Sequence, residues 1–392
     1  MEQREIGRAG VQLSRVVLGC GNFGGIGSAP ELFGQGESEE RAFAVMDAAW
    51  ALGISAFDTA DAYGGGRSET AIGRWMRSTG NRPTLTTKTF NPMDAGQDHG
   101  LGRDRILRQI ESSLGRLGVD RVDLYLAHAF DPETPLAETI ATFEELVERG
   151  LTRAYGVSNF DDEQLRAALD AGRPALVQNS YSLLERGDER DVLPLCAGRG
   201  IAYEAFSPLA GGWLTGKYRR GEEPPAGSRM TQRPEPYEHL RDDRVFDALE
   251  AFDAAAAQRG VDSAALAQAW LLARARARAR GGRRARGALR LEALVMNSIG
   301  STGRFRRTRG QSSRVLTAAP QAAPRAKGAR SSSRCRRDGT EGGRGGGPRG
   351  AARTRRCPGG GGNRPTPPAA APLRFRVATR ARRSALRARH GL

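Results

Sequence analysis

Short apolar runs alternate with longer amphipathic ones through residues 16–206, and this rhythm limits the fold more than any other feature of the chain. Val16–Leu18, Ala56–Asp58, Thr84–Lys88, Val122–Leu126, Thr152–Val157, Ala175–Gln178 and Ile201–Phe206 read as strands. Helical spacing fills the gaps at Ser38–Leu52, Arg67–Arg77, Arg103–Leu117, Leu136–Arg149, Asp161–Ala171 and Arg190–Arg199. Strand starts roughly 20 to 40 residues apart are the spacing of βαβ units around a parallel sheet. Two more helices follow at Val245–Ala257 and Ser263–Leu272, and EIGRAGVQL can form a leading hairpin. Seven βα units in about 270 residues predict a (β/α)8 TIM barrel that lacks its eighth unit. A doubly wound sheet is the alternative.

The glycines of Gly19-Cys-Gly-Asn-Phe-Gly24 match a dinucleotide-binding fingerprint, but that fingerprint needs a helix to open at them. The chain instead continues Gly25-Ile-Gly-Ser-Ala-Pro30, which starts no helix promptly. A glycine loop after the first barrel strand is the better reading.

Charge divides the chain. It holds 61 Lys and Arg against 44 Asp and Glu, for a net +17. Residues 273–392 carry 32 of the basic groups and three acids, so residues 1–272 are net acidic. The total therefore describes neither part. No apolar run is long enough to cross a membrane, and the charged MEQREIGRAG start is no signal segment. Cys20, Cys196, Cys335 and Cys357 form no CxxC pair, and His99, His128, His239 and His390 are isolated, so no metal site is expected. A cytoplasmic protein is the expectation.

In a barrel, function gathers at the C-terminal ends of the strands. Asp58, Lys88, His128, Ser158-Asn159, Gln178-Asn179 and Ser207 end or follow six successive strands. Singly, each has an ordinary explanation as a turn cap, a solvated strand end or a core histidine; six in a row argue for one functional mouth. Residues 1–272 also use Arg almost throughout and keep only two lysines, Lys88 and Lys217. A retained Lys suggests chemistry that Arg, with its fixed charge, does not do. A tyrosine hydroxyl such as that of Tyr63 can protonate a carbonyl oxygen if a nearby ammonium lowers its pKa. Asp58 can anchor that ammonium, and a neutral His128 can orient the carbonyl.

These residues sit in FDTADAYGGGRSETAIGRWM, LTTK, VDLYLAHAFDPETPLAETI, GLTRAYGVSNF, VQNSYSLLER and FSPLAGGWLTGKY. The segments resemble the aldo-keto reductase superfamily, in its order and spacing, across nearly all of residues 5–272. They are most similar to the branch holding aryl-alcohol dehydrogenases and potassium-channel β subunits. The resemblance implies a barrel that binds NADPH in an extended form and reduces an aldehyde or ketone. Tyr63 would be the general acid, Lys88 its partner, Asp58 the lysine's anchor and His128 the carbonyl-orienting group. Ser158, Asn159 and Gln178 would hold the nicotinamide amide, and Phe206 would stack on its ring. Ser207, Pro208, Leu209 and Lys217 would wrap the pyrophosphate, with Gly21 and Asn22 lining the cofactor. Phe23, Tyr63, Phe130 and Trp213 would wall the substrate.

The likeness ends near Ala273, where an eighth strand and an adenosine-binding segment are expected and ARARARARGGRRARGALR stands instead. Residues 273–392 are dominated by Arg, Ala, Gly and Pro, a composition too poor in apolar surface to offset chain entropy, and outside Leu289–Ile299 no strand or helix period survives there. They are read as a disordered basic tail, of the kind that a GC-rich gene end read out of frame would encode. Without the closing unit, the first and seventh strands would keep unpaired edges and the cofactor would bind weakly. The alternatives are an inactive or regulatory reductase-like protein and, less favoured because the tail has only Phe305 and Phe375 as aromatics, a nucleic-acid binder.

Overall fold

A computed structural model describes residues 1–6, 10–94, 98–280, 293–297, 303–306 and 317–320. All of them lie in the first of two compact units, Met1–Pro324; the second, Arg325–Leu392, falls outside the described residues. Strands β1 (Gln3–Ile6) and β2 (Val11–Ser14) form the expected hairpin. Seven parallel strands then follow in chain order. They are β3 (Val16–Gly19), β4 (Ala56–Asp58), β5 (Thr84–Thr89), β6 (Val122–Ala127), β7 (Thr152–Ser158), β8 (Leu176–Ser180) and β9 (Ala202–Phe206). Helices α1 (Glu39–Ala51), α2 (Arg67–Thr79), α3 (Arg103–Leu117), α4 (Leu136–Glu148), α5 (Asp162–Ala171) and α6 (Val192–Arg199) alternate with them. After β9 come a short α7 (Arg229–Gln232), α8 (Asp243–Gln258) and α9 (Ser263–Arg280).

The expectation of open edges is corrected. Strand β10 (Ala293–Asn297) pairs in parallel with β3, Val295 opposite Val16, and with β9, Ala293 opposite Tyr203, so the ring closes with eight strands. The physical reason is local: Ala293–Met296 is a run of four apolar residues, enough for one short parallel strand, inside a segment whose wider composition hides it. No helix follows β10 among the described residues. A small pair, β11 (Gly303–Arg306) and β12 (Thr317–Pro320), lies beyond it. Helix α9 runs on past residue 272, and Arg15 donates to the Leu272 carbonyl near its middle. The rest of the expected tail lies outside the described residues.

Strand alternation sorts the barrel interior into two layers. Val17, Ala56, Leu124, Leu126, Leu176 and Ala202 pack with Ile6, Val11 and Leu13 of the hairpin, which plugs the N-terminal end. Two residues further along β4, β8 and β9, the same face carries Asp58, Gln178 and Glu204, all buried. The outer core between strands and helices holds Phe57, Met46, Trp75 and Phe143. The Gly19–Gly24 segment opens no helix, as expected; α1 begins only at Glu39, where Ser38 Oγ accepts from the Arg41 amide at 3.3 Å. The loop instead packs backbone to backbone: a Cβ on Gly25 would lie 2.5 Å from the Gly64 Cα.

A buried polar network ties α2 and α3 to the sheet. Glu69 accepts from Thr87 Oγ1 and from Arg116 Nε, both at 2.6 Å. Asp61, next to the turn that carries Tyr63, accepts from the Ala62 amide at 2.6 Å and lies 3.9 Å from Arg105. Burial, reinforced by the charge of Glu69, pushes the Asp61 carboxyl up to about 7.

Two outcomes follow from this network. Glu69→Ala strands Arg116 and Thr87 and should cost about 3–5 kcal/mol, read as a lower urea midpoint; an unchanged midpoint would show that the network is dispensable. Between pH 4 and about 7 the folded protein keeps a proton on Asp61 that the unfolded chain has released, so stability falls as pH rises through that window. Asp61→Asn removes this slope. The unfolding free energy of the variant relative to the parent should therefore rise from pH 5 to pH 7.5, by on the order of 2–4 kcal/mol in all, read from urea titrations at each pH, and parallel pH curves would refute the assignment.

Candidate active site

The C-terminal ends of β4, β5 and β6 bring Asp58, Lys88 and His128 to one mouth, and the turn Tyr63–Gly66 after β4 adds Tyr63. Lys88 uses all three ammonium protons: it donates to Asp58 Oδ1 at 2.5 Å, to the Thr59 carbonyl at 2.8 Å and to the Tyr63 hydroxyl at 3.4 Å. Its Nζ lies 4.9 Å from the centre of the Tyr63 ring. Asp58 and Lys88 are both fully buried. The second Asp58 oxygen accepts from Gln178 Nε2 at 2.8 Å. His128 Nε2 stands 3.5 Å from the Tyr63 hydroxyl, with the two rings edge to face.

Electrostatics set the protonation states. Burial alone would lower the Lys88 ammonium, but Asp58 beside it wins and holds it above the ordinary lysine value. Burial likewise raises the Tyr63 phenol, and here it outweighs the opposing pull of Lys88. Lys88 acts in the expected direction, pulling the phenol down, and Asp58 offsets part of that pull, but burial outweighs what remains. Burial, then Lys88 and Arg233, hold the His128 imidazole well below its ordinary value, so it is neutral. Asn91 Nδ2 donates to His128 Nδ1 at 3.1 Å, which leaves the proton on Nε2, facing Tyr63.

The other expected site residues cluster around these four in differing degrees. Asn159 Nδ2 donates to the His128 carbonyl at 2.8 Å and to Ser158 Oγ at 3.2 Å. Gly21 lies against Tyr63, where a Cβ would stand 3.5 Å from the ring. Asn22 Oδ1 accepts from Arg229 at 3.1 Å. Phe206 ends β9 and packs on the inner cluster. Ser207 Oγ bonds the Tyr237 hydroxyl at 2.9 Å, Pro208 is buried, and Leu209 joins the cluster of the following segment. Lys217 Nζ lies 5.1 Å from the Tyr218 ring and has no ion pair among the described residues. Of the expected substrate walls, Phe23 is buried, Phe130 packs edge to face on Phe160, and Trp213 packs on Tyr218 and Phe246. Asn159 and Ser207, directly after β7 and β9, both take positive φ values, 59° and 53°, a strained setting that persists only where surroundings fix it.

Sequence reasoning missed Asn91, Glu204, Arg229 and Arg233. Glu204 had a readable signal, an acid in the middle of the apolar run IAYEAF. It is fully buried, no group among the described residues meets its oxygens in good hydrogen-bond geometry, and burial followed by the charge of Asp58 pushes it up to about 8 against the opposing pull of Lys88 and Gln178. The others had none, because loops place them. No helix among the described residues is long and apolar enough to cross a membrane, and no group of three metal-ligating side chains lies together among them.

The profile of the Aldo/keto reductase family matches residues 15–293. The chain is 36% identical over 291 residues to "Uncharacterized oxidoreductase YrpG" of Bacillus subtilis, covering 70% of this chain and 84% of that protein. It is 31% identical to the "NADH-specific methylglyoxal reductase" of Escherichia coli, covering 69% and 86%. It is 32% identical to a "Probable voltage-gated potassium channel subunit beta" of Oryza sativa, covering 69% and 83%. Among solved structures, the glycerol dehydrogenase of Gluconobacter oxydans superposes with a TM-score of 0.62 at 27% identity, over 75% of this chain and 85% of that one. The closed barrel with its polar C-terminal mouth agrees with these matches, and the chain belongs to the aldo/keto reductase family.

Proposed function

We propose that this chain reduces an aldehyde or ketone to its alcohol with a nicotinamide cofactor, NADPH, and that Tyr63 supplies the proton. The convergence of Lys88, Asp58, Tyr63 and His128 within hydrogen-bond reach, from three separate strands, carries this reading. A protonated phenol beside a firmly charged ammonium is arranged for giving a proton up, which suits the reductive direction.

The residues present fit the nicotinamide and pyrophosphate parts of such a cofactor. Ser158 and Asn159 offer hydroxyl and amide groups beside His128, Gln178 offers its amide beside Asp58, Gly21 lets the backbone run against the Tyr63 ring, and Lys217 and Arg229 are cations without carboxylate partners among the described residues. Residues for the adenosine end would follow β10 and lie outside the described residues. When bound, the reduced nicotinamide supplies the hydride and is itself oxidised. His128 Nε2–H donates to the carbonyl oxygen and orients it. Tyr63 gives that oxygen its proton as charge develops there, and Lys88, held by Asp58 and the Thr59 carbonyl, keeps a positive charge next to the phenolate left behind. Asn91 keeps His128 in the tautomer that can donate.

The test is turnover of a panel of aromatic and aliphatic aldehydes by the full chain, followed as nicotinamide absorbance with NADPH and NADH in parallel. Tyr63→Phe should lower kcat about 10²–10⁴-fold. Equal turnover by parent and variant, or none by the parent, would refute the reading, and a preference for NADH would correct its cofactor.

A further inference from the structure

Two arginines at the mouth lack the partners that buried guanidinium groups normally find. Helix α7 ends at Arg233 because Pro234 follows and disfavours helical backbone before it. The side chain leaves the helix and reaches Gly27, so closely that a Cβ there would lie 2.6 Å from Arg233 Nη1. Gly27 belongs to the wall of the site: its amide bonds the Gly21 carbonyl at 2.6 Å, and its carbonyl accepts from Gly64, next to Tyr63, at 3.1 Å. Arg229, one turn earlier, donates to Asn22 on the same wall. Both arginines are half-buried, and neither has a carboxylate partner among the described residues. Arg233 acts electrostatically on Arg229, Tyr63 and His128 together, so its charge faces the mouth. Arg229 is taken up by the cofactor reading, which leaves Arg233: a half-buried guanidinium on the wall of the site with no carboxylate partner among the described residues suits a carboxylate or phosphate.

We infer that Arg233 selects an anionic substrate, a carbonyl compound bearing a carboxylate or phosphate that the guanidinium holds while the carbonyl meets Tyr63 and His128. This rests on the reductase reading but names its substrate class. The same cation could instead serve a cofactor phosphate, so the experiment separates the two sources.

Calorimetry of 4-(hydroxymethyl)benzoate and its uncharged amide, 4-(hydroxymethyl)benzamide, measures the preference without turnover. The full chain should bind the acid at least tenfold more tightly than the amide, and Arg233→Gln should bring that ratio near one, with Arg233→Lys restoring part of it. A ratio near one in the parent, or a ratio that survives in Arg233→Gln, would overturn the inference. Titration of NADPH fluorescence provides the second arm: if Arg233→Gln loses tenfold for NADPH while the acid-to-amide ratio holds, the cation serves the cofactor and the inference fails. Failure of the reductase reading would appear separately, as absent turnover of 4-carboxybenzaldehyde with the binding preference intact.

Discussion

The buried pair of Lys88 and Asp58 is the contact on which the rest of the mouth depends. Taking both charges out of water is costly, and a lone one would be more so, because an unpaired buried ion costs several kcal/mol. The barrel meets the cost by giving each ion a full set of partners. Asp58 receives Lys88 and Gln178; Lys88 reaches Asp58, the Thr59 carbonyl and Tyr63. Each partner comes from a different strand or turn, so the pair also fixes the relative placement of β4, β5 and β8. Tyr63 is held where it is because the third lysine proton has nowhere else to go.

That arrangement decides what kind of acid the site contains. A free ammonium beside a phenol would favour phenolate, and the phenol would tend to lose its proton before any substrate arrived. With Asp58 matching the charge, burial dominates and Tyr63 stays protonated. The ammonium becomes useful to the phenol only after the proton has left, when a phenolate would otherwise stand unpaired. In the proposed reaction a neutral His128 complements this: an imidazolium would compete with Tyr63 as the proton source, whereas a neutral ring held by Asn91 would orient the carbonyl.

Much of this was legible in the sequence. The strand rhythm gave the barrel because period-two and period-3.6 patterns report burial directly, and the strand-end residues Asp58, Lys88, His128 and Gln178 could be placed because a parallel barrel puts every strand end at one mouth. The protonation of Tyr63 was not legible, since it depends on the balance between burial and a charge already matched. Strand β10 was barely legible: Leu289–Ile299 stood out, but four apolar residues in an arginine-rich stretch say nothing of a partner, and only the two open edges of β3 and β9 give them a role. Asn91 and the arginines of α7 were silent because loop geometry alone brings them to the site.

The two kinds of cation at the mouth divide the work by chemistry. Lys88 sits where the charge must respond to a neighbouring proton, and a compact ammonium with three directed donors can do so. Arg233 stands at the rim, where a planar guanidinium can hold a charged group without exchanging a proton. The rarity of lysine in residues 1–272 first marked Lys88. Arg233 drew no notice because nothing in the sequence separates it from the many other arginines of residues 1–272; what marks it is its half-buried place against Gly27 on the wall of the site. Such a position can be found from what surrounds it but not from what it is.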